Sequence, residues 1–137
     1  MKKIFQTVKW DNEVNANCFQ AVTASYLEMN LDEVPNFCAN RNRYWIEDFK
    51  EFIDSTKKYV SRGFEYTPPP LDGKFHIAYE WVNEKHGHAV IVKDGKVVHD
   101  PMGRIMLNYN IVGYFPIEKT SYEKDQRKKE KSTCFSK

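Results

Sequence analysis

Apolar and small residues at Cys18, Ala21, Val22, Ser25, Tyr26 and Met29 recur at helical spacing, with Asn17 as N-cap and Asn30 as the stop. A second helix is predicted over residues 44–62. Trp45, Phe49, Phe52, Ile53 and Val60 share one face of it, Glu47, Lys50, Glu51 and Lys57 the other, and Gly63 ends it. Over 74–82 the period falls to two, as Phe75, Ile77 and Tyr79 alternate with His76 and Ala78. Residues 88–92 and 96–99, rich in valine and isoleucine, flank Asp94-Gly95 and predict a hairpin. Residues 111–117 make a last strand, and 4–8 and 64–66 have the composition of short ones. Thr67-Pro68-Pro69-Pro70 closes the 64–66 segment, because proline fits neither a helix interior nor a central strand. Residues 11–17 and 36–43 are polar connections, and 31–35 is a single turn closed by Pro35. Helices followed by antiparallel strands predict an α+β domain over 1–118, its cysteine-bearing N-terminal helix packed on the sheet. Residues 119–137 are charged, lack apolar periodicity and are expected to form a solvated tail.

The hairpin carries chemistry at both ends. His88 opens its first strand and Asp100 follows its second. A two-residue Asp94-Gly95 turn pairs Lys93 with Lys96 and sets His88 opposite Pro101. A three-residue Lys93-Asp94-Gly95 loop, with Gly95 left-handed, pairs Val92 with Lys96 and sets His88 directly against Asp100. The second arrangement is the expectation, since a base oriented by a carboxylate is most of a nucleophilic unit. Cys18 is the candidate nucleophile. In the first turn of a helix, unpaired N–H groups and the positive end of the dipole favour a thiolate.

Composition narrows the setting. The 137 residues suit one domain with a single core, and 41% hydrophobic with 15% aromatic content is globular. A net charge of +2, from 21 basic and 19 acidic side chains, gives no electrostatic reason to expect nucleic acid or an anionic membrane as partner. No apolar run approaches the roughly 20 residues of a membrane span, and Met1-Lys2-Lys3-Ile4 lacks a signal-peptide core. Cys18, Cys38 and Cys134 are odd in number and far apart, which argues against a disulfide framework and for a reducing cytoplasm.

Blander roles compete for the same residues. A cysteine on the apolar face of a helix is more often core than nucleophile, and it is the conjunction with His88 and Asp100 that favours catalysis. His86-Gly87-His88, with His76 and His99 or Asp100, offers an alternative chelating set. No glutamate stands at zinc-protease spacing, so neither a metal nor another cofactor is called for. His99 alternates away from Asp100 and takes a structural role, and His86 a turn. Cys38 is assigned to packing and Cys134 to an exposed inert thiol. Tyr44-Trp45 and Trp81 are assigned to the core. The Arg127-Lys128-Lys129 run is too short to argue for nucleic acid.

Asn17-Cys18-Phe19-Gln20-Ala21 opening a helix, then His88-Ala89-Val90-Ile91-Val92, then His99-Asp100-Pro101, resembles the papain-like cysteine peptidase superfamily. The likeness is to its compact bacterial and phage branch, related to bacteriocin-processing double-glycine-leader peptidases. Small phage proteins with a Leu-x-x-Val-Pro-x-Phe segment, here Leu31 to Phe37, are similar too. The resemblance implies a papain-like fold with Cys18 as nucleophile, His88 as general base and acid, and Asp100 as the orienting residue. It implies a cysteine hydrolase that cleaves a peptide, isopeptide or other amide bond through a thioester. The same triad serves an acyltransferase, and a catalytically silent phage protein that sequesters a host factor is the rival of a different class. The oxyanion donors would be the Cys18 N–H and an upstream amide. Asn12 stands where the family has glutamine, with Asn15, Asn17 and Gln6 as competitors, and Phe19 replaces the family's small residue after the cysteine. A Cys18 thiol accessible beside His88 favours the enzyme; one buried or turned away favours the binder.

Overall fold

The computed structural model describes residues 1–8, 16–83 and 86–120. It is an α+β structure. Helices α1 (Cys18–Leu27) and α2 (Trp45–Ser55) precede strands β1 (Tyr59–Ser61), β2 (His76–Asn83), β3 (His86–Lys93), β4 (Lys96–His99), β5 (Ile111–Phe115) and β6 (Ile117–Lys119). An antiparallel four-stranded sheet runs β4-β3-β2-β5, and β1 pairs with β6 in a separate ribbon. Pro116, without an N–H to donate, separates β5 from β6 within what the pattern presents as one strand.

Helix α1 lies across β3 and β2 and is held by Phe19, which is almost wholly buried. The Phe19 ring makes edge-to-face contacts with Phe37, Trp45, Phe49 and Phe115 at centroid distances of 4.7–6.1 Å. Val22, Ala24, Ile77, Ala89 and Ile91 complete the same core. The bulky residue after the cysteine is therefore the anchor of the helix. Asn17 occupies the N-cap position without making a side-chain cap bond. The helix ends short of Asn30, as Glu28 turns left-handed (φ 57°) and Met29 N–H returns to the Ala24 carbonyl at 2.9 Å.

Four sequence expectations change. Helix α2 stops at Ser55, well before residue 62. The Ser55 and Thr56 hydroxyls donate back to the carbonyls of Phe52 and Ile53 at 2.6 and 2.7 Å, and Lys57 adopts φ 62°. These side chains compete with helix continuation, freeing Tyr59 and Val60 to pair with β6. Residues 4–8 form no strand, and their N–H groups go to scattered acceptors: Ser25 Oγ accepts from Ile4, the Pro101 carbonyl from Gln6, and Asn17 Oδ1 from Thr7 and Val8. Residues 64–66 contribute one bridge, Glu65 to Tyr114. At the far end Lys119 pairs with Tyr59, and Thr120 donates to the carbonyls of Lys57 and Lys58, so the folded unit runs past 118. The tail beyond it, with Cys134 and Arg127-Lys128-Lys129, lies outside the described residues.

Candidate active site

The turn between β3 and β4 decides how His88 meets Asp100. Lys93 pairs with Lys96 around a two-residue turn, and both Asp94 (φ 49°) and Gly95 (φ 79°) are left-handed, as a type I′ turn requires. The expected three-residue loop is thus corrected. The compensation comes one step later. Val92 pairs with Val97 and Ile91 with His99, so Val98 is bulged out of the ladder. Carried one residue further, that register sets Asp100 beside Val90, diagonal to His88 rather than opposite it. The diagonal suffices: His88 Nε2 donates to Asp100 Oδ1 at 2.8 Å, and both side chains are buried.

Four donors converge on the Asp100 carboxylate. Oδ1 also accepts the Met102 N–H at 2.9 Å, an Asx turn built on Pro101 and completed by Gly103 N–H to the Asp100 carbonyl at 2.8 Å. Oδ2 accepts Arg104 Nε at 2.7 Å and Tyr109 Oη at 3.2 Å. The other arm of the guanidinium pairs with Glu80, which lies directly opposite His88 in the β2–β3 ladder. Glu80 is buried, and Arg104 sits over the Tyr109 ring at 5.5 Å. Burial alone would push the Asp100 carboxyl up. The hydrogen bonds from His88 and Met102, with the charges of His88 and Arg104, hold it below the usual carboxylate range instead.

The imidazole shows the mirror behaviour. Burial favours neutral His88, but the bond to Asp100, the contact with Cys18 and the charges of both partners outweigh it and raise the pKa to about 9. Since a carboxylate can only accept, Nε2 carries a proton and Nδ1 is left to exchange one. Nδ1 is buried and, among the described residues, makes no hydrogen bond of good geometry. Cys18 is nonetheless a close neighbour of the ring, felt both as a polar contact and as a charge. The His88 ring and the Cys18 thiol are thus coupled electrostatically without a well-aligned bond. Cys18 is half-buried, neither sealed in the core nor fully exposed.

The other sequence candidates separate. Asn12 and Asn15 lie outside the described residues. Asn17 is excluded as an oxyanion donor because its amide is committed: Nδ2 donates to Thr7 Oγ1 at 2.9 Å and to Gln20 Oε1 at 3.2 Å. Gln6 Nε2 donates to the Val8 carbonyl at 2.8 Å. His99 is structural, its Nε2 donating to the Ile4 carbonyl at 2.5 Å beneath the Phe5 ring edge. His76 pairs with Asp72 and His86 with Asn83, so each histidine of the alternative chelating set has its own local partner. Among the described residues, Glu80, His88 and Asp100 do group their ligating atoms within 4.8 Å. Arg104 already bridges the two carboxylates there, supplying the positive charge that a metal would bring. Cys38 packs against the core, and burial, then the nearby Cys18, push its thiol up to about 12.

Trp45 packs against the core, whereas Tyr44 and Trp81 are largely exposed, against expectation. Trp81 lines a cleft of about 200 Å³ with Trp45, Phe64, Tyr66 and Tyr79. Tyr79 crosses Gly87, where a Cβ would stand 1.6 Å from its phenol oxygen. Glycine next to His88 is what lets that ring lie there. The sequence reading missed Glu80, Arg104 and Tyr109. Glu80 alone left a signal, as an acidic residue within an otherwise apolar strand. No helix among the described residues is long and apolar enough to cross a membrane. No protein-family model, no curated protein and no solved structure matches the chain.

Proposed function

We propose that the protein is a papain-like cysteine hydrolase that cleaves a peptide, isopeptide or other amide bond. The observation that carries this is the buried 2.8 Å bond between His88 Nε2 and Asp100 Oδ1, on an imidazole that also neighbours the first residue of α1, Cys18. In this reading Asp100 sets the tautomer, and Nδ1 takes the thiol proton. The thiolate attacks the carbonyl carbon, and the imidazolium protonates the leaving amine. Water, activated by the same imidazole, then opens the thioester and releases the acid. The Cys18 N–H, at the start of the helix, is one donor suited to the oxyanion. A half-buried sulfur beside His88 supports an enzyme over a silent binder.

Competitive alkylation of the intact chain tests the reading. A thiol held beside an imidazole is alkylated faster than one without such a partner. Iodoacetamide near pH 6 should therefore modify Cys18 ahead of Cys38 and Cys134. His88→Ala should slow Cys18 by more than about tenfold, and Asp100→Asn by less, because an amide oxygen still orients the ring. Equal rates at Cys18 and Cys134 would end the catalytic reading. Acyl groups trapped on Cys18 in a cell lysate would then identify the substrate and its acceptor.

A further inference from the structure

The site contains a second charged pair that the triad chemistry does not require. Arg104 spans two buried carboxylates, Asp100 through Nε at 2.7 Å and Glu80 through its terminal nitrogen. Considered alone, such an arginine harms the site. It holds Asp100 in place, but its positive charge offsets the negative potential that Asp100 exerts on His88. Glu80 removes this conflict. It sits across the ladder from His88 and is nearly sealed from water. Its carboxylate is the second anion on the guanidinium, so the arginine's charge is met without drawing on Asp100 alone.

We propose that Glu80 and Arg104 form a charge-neutral clamp. Arg104 locks the outer oxygen of Asp100, and Glu80 cancels the arginine's charge, so that Asp100 acts on His88 as a full anion. Both are positioning residues, acting on the imidazole through Asp100. Tyr109 supports the clamp, its hydroxyl lying within hydrogen-bond distance of both Asp100 Oδ2 and the Arg104 carbonyl. Among the described residues, Cys18 from α1, Glu80 from β2 and Asp100 after β4 bear on His88, and Arg104 with Tyr109 from the following segment bear on Asp100. His99 bears on Asp100 from the next position in the chain.

The clamp deepens the triad reading and rests on it for its purpose, but its test needs no substrate. The ring titration of His88 is followed by NMR in the full-length chain, its signal assigned by its loss in His88→Ala. Glu80→Gln keeps the shape and leaves the arginine uncompensated, so the ring pKa should fall by at least about one pH unit. Arg104→Gln leaves two carboxylates near the ring and should raise it. Glu80→Gln with Arg104→Gln restores neutrality and should return the titration to within about half a unit of wild type. A pair that only packs would lower the melting temperature of each folded variant and leave the ring titration where it was. The proposal fails if Glu80→Gln titrates like wild type, or if the double variant falls as far as the single. Should Glu80→Gln not fold, an unmoved ring in Arg104→Gln overturns it equally. Selective alkylation of Cys18 is scored separately, so a working clamp beside an inert cysteine would refute the enzyme and not the clamp.

Discussion

The two sides of strand β3 are built from different materials. Ala89 and Ile91 join the core beneath α1, filled by Phe19, Phe49, Phe115 and their neighbours. Val90 and Val92, at the alternate positions, join a smaller cluster with Ala78, covered by Val97, Tyr109, Ile111 and Tyr114. His88 has the parity of this second side, where the buried Glu80 and Asp100 and the half-buried Arg104 continue it as a set of charges. The ring-filled side is held by area and shape, which tolerate many arrangements. The charged side is held by matched donors and acceptors, where losing one partner strands another in a dry site. The contrast teaches where robustness ends and chemistry begins. A bulky anchor one residue from Cys18 gives that cysteine a rigid base, and the charges are assembled on the opposite face, beside the smaller apolar cluster.

The sharpest way to break this comparison is Phe19→Ala. Removing a buried ring with four aromatic neighbours should cost about 3–5 kcal/mol, measured by denaturant unfolding. A loss below about 1 kcal/mol would mean that the helix is not anchored where the contacts place it.

The charged side should answer to pH. His88, with its pKa raised to about 9, contributes stability that is complete below the unfolded value of about 6.5 and is lost as pH climbs through 9. Asp100, held low, contributes stability that is present above the unfolded value of about 3.9 and is lost as pH falls. The pair is therefore worth most between about pH 4 and 6.5. The melting temperature should drop between about pH 6 and pH 9.5, and this drop should shrink in His88→Ala. An equal drop in the variant would assign the pH dependence to other groups.

The smallest effect concerns the apolar part of the same side. Val97 is only partly buried, so Val97→Ala should cost about 1 kcal/mol and leave the reactivity of Cys18 unchanged. A larger loss, or a slower Cys18, would show that the small cluster and the charges stand or fall together.

Much of this protein is legible in the residue pattern, for identifiable reasons. Helical spacing around Cys18, alternation from His76 to Tyr79 and the Asp94-Gly95 turn are local signals, and each marks an element that is present. The pairing of His88 with Asp100 was legible too, because alternation on a hairpin restricts which side chains share a face. Its route was not. A type I′ turn and a bulge at Val98 compete with a three-residue loop on the basis of strand twist, which no local composition records. The end of α2 escaped for a similar reason, since the back-bonds of Ser55 and Thr56 compete with a helix that the apolar spacing to Val60 would continue, and the pairing of Tyr59 and Val60 with the distant β6 joins the other side of that competition. Glu80 and Arg104 lie 24 positions apart in sequence, and neither residue type predicts the other. Local periodicity determined which elements form and which faces are apolar. Only the closed tertiary structure decided which charges would be shut away together, because a buried ion pair is selected by desolvation, and desolvation exists only once the chain has folded around it.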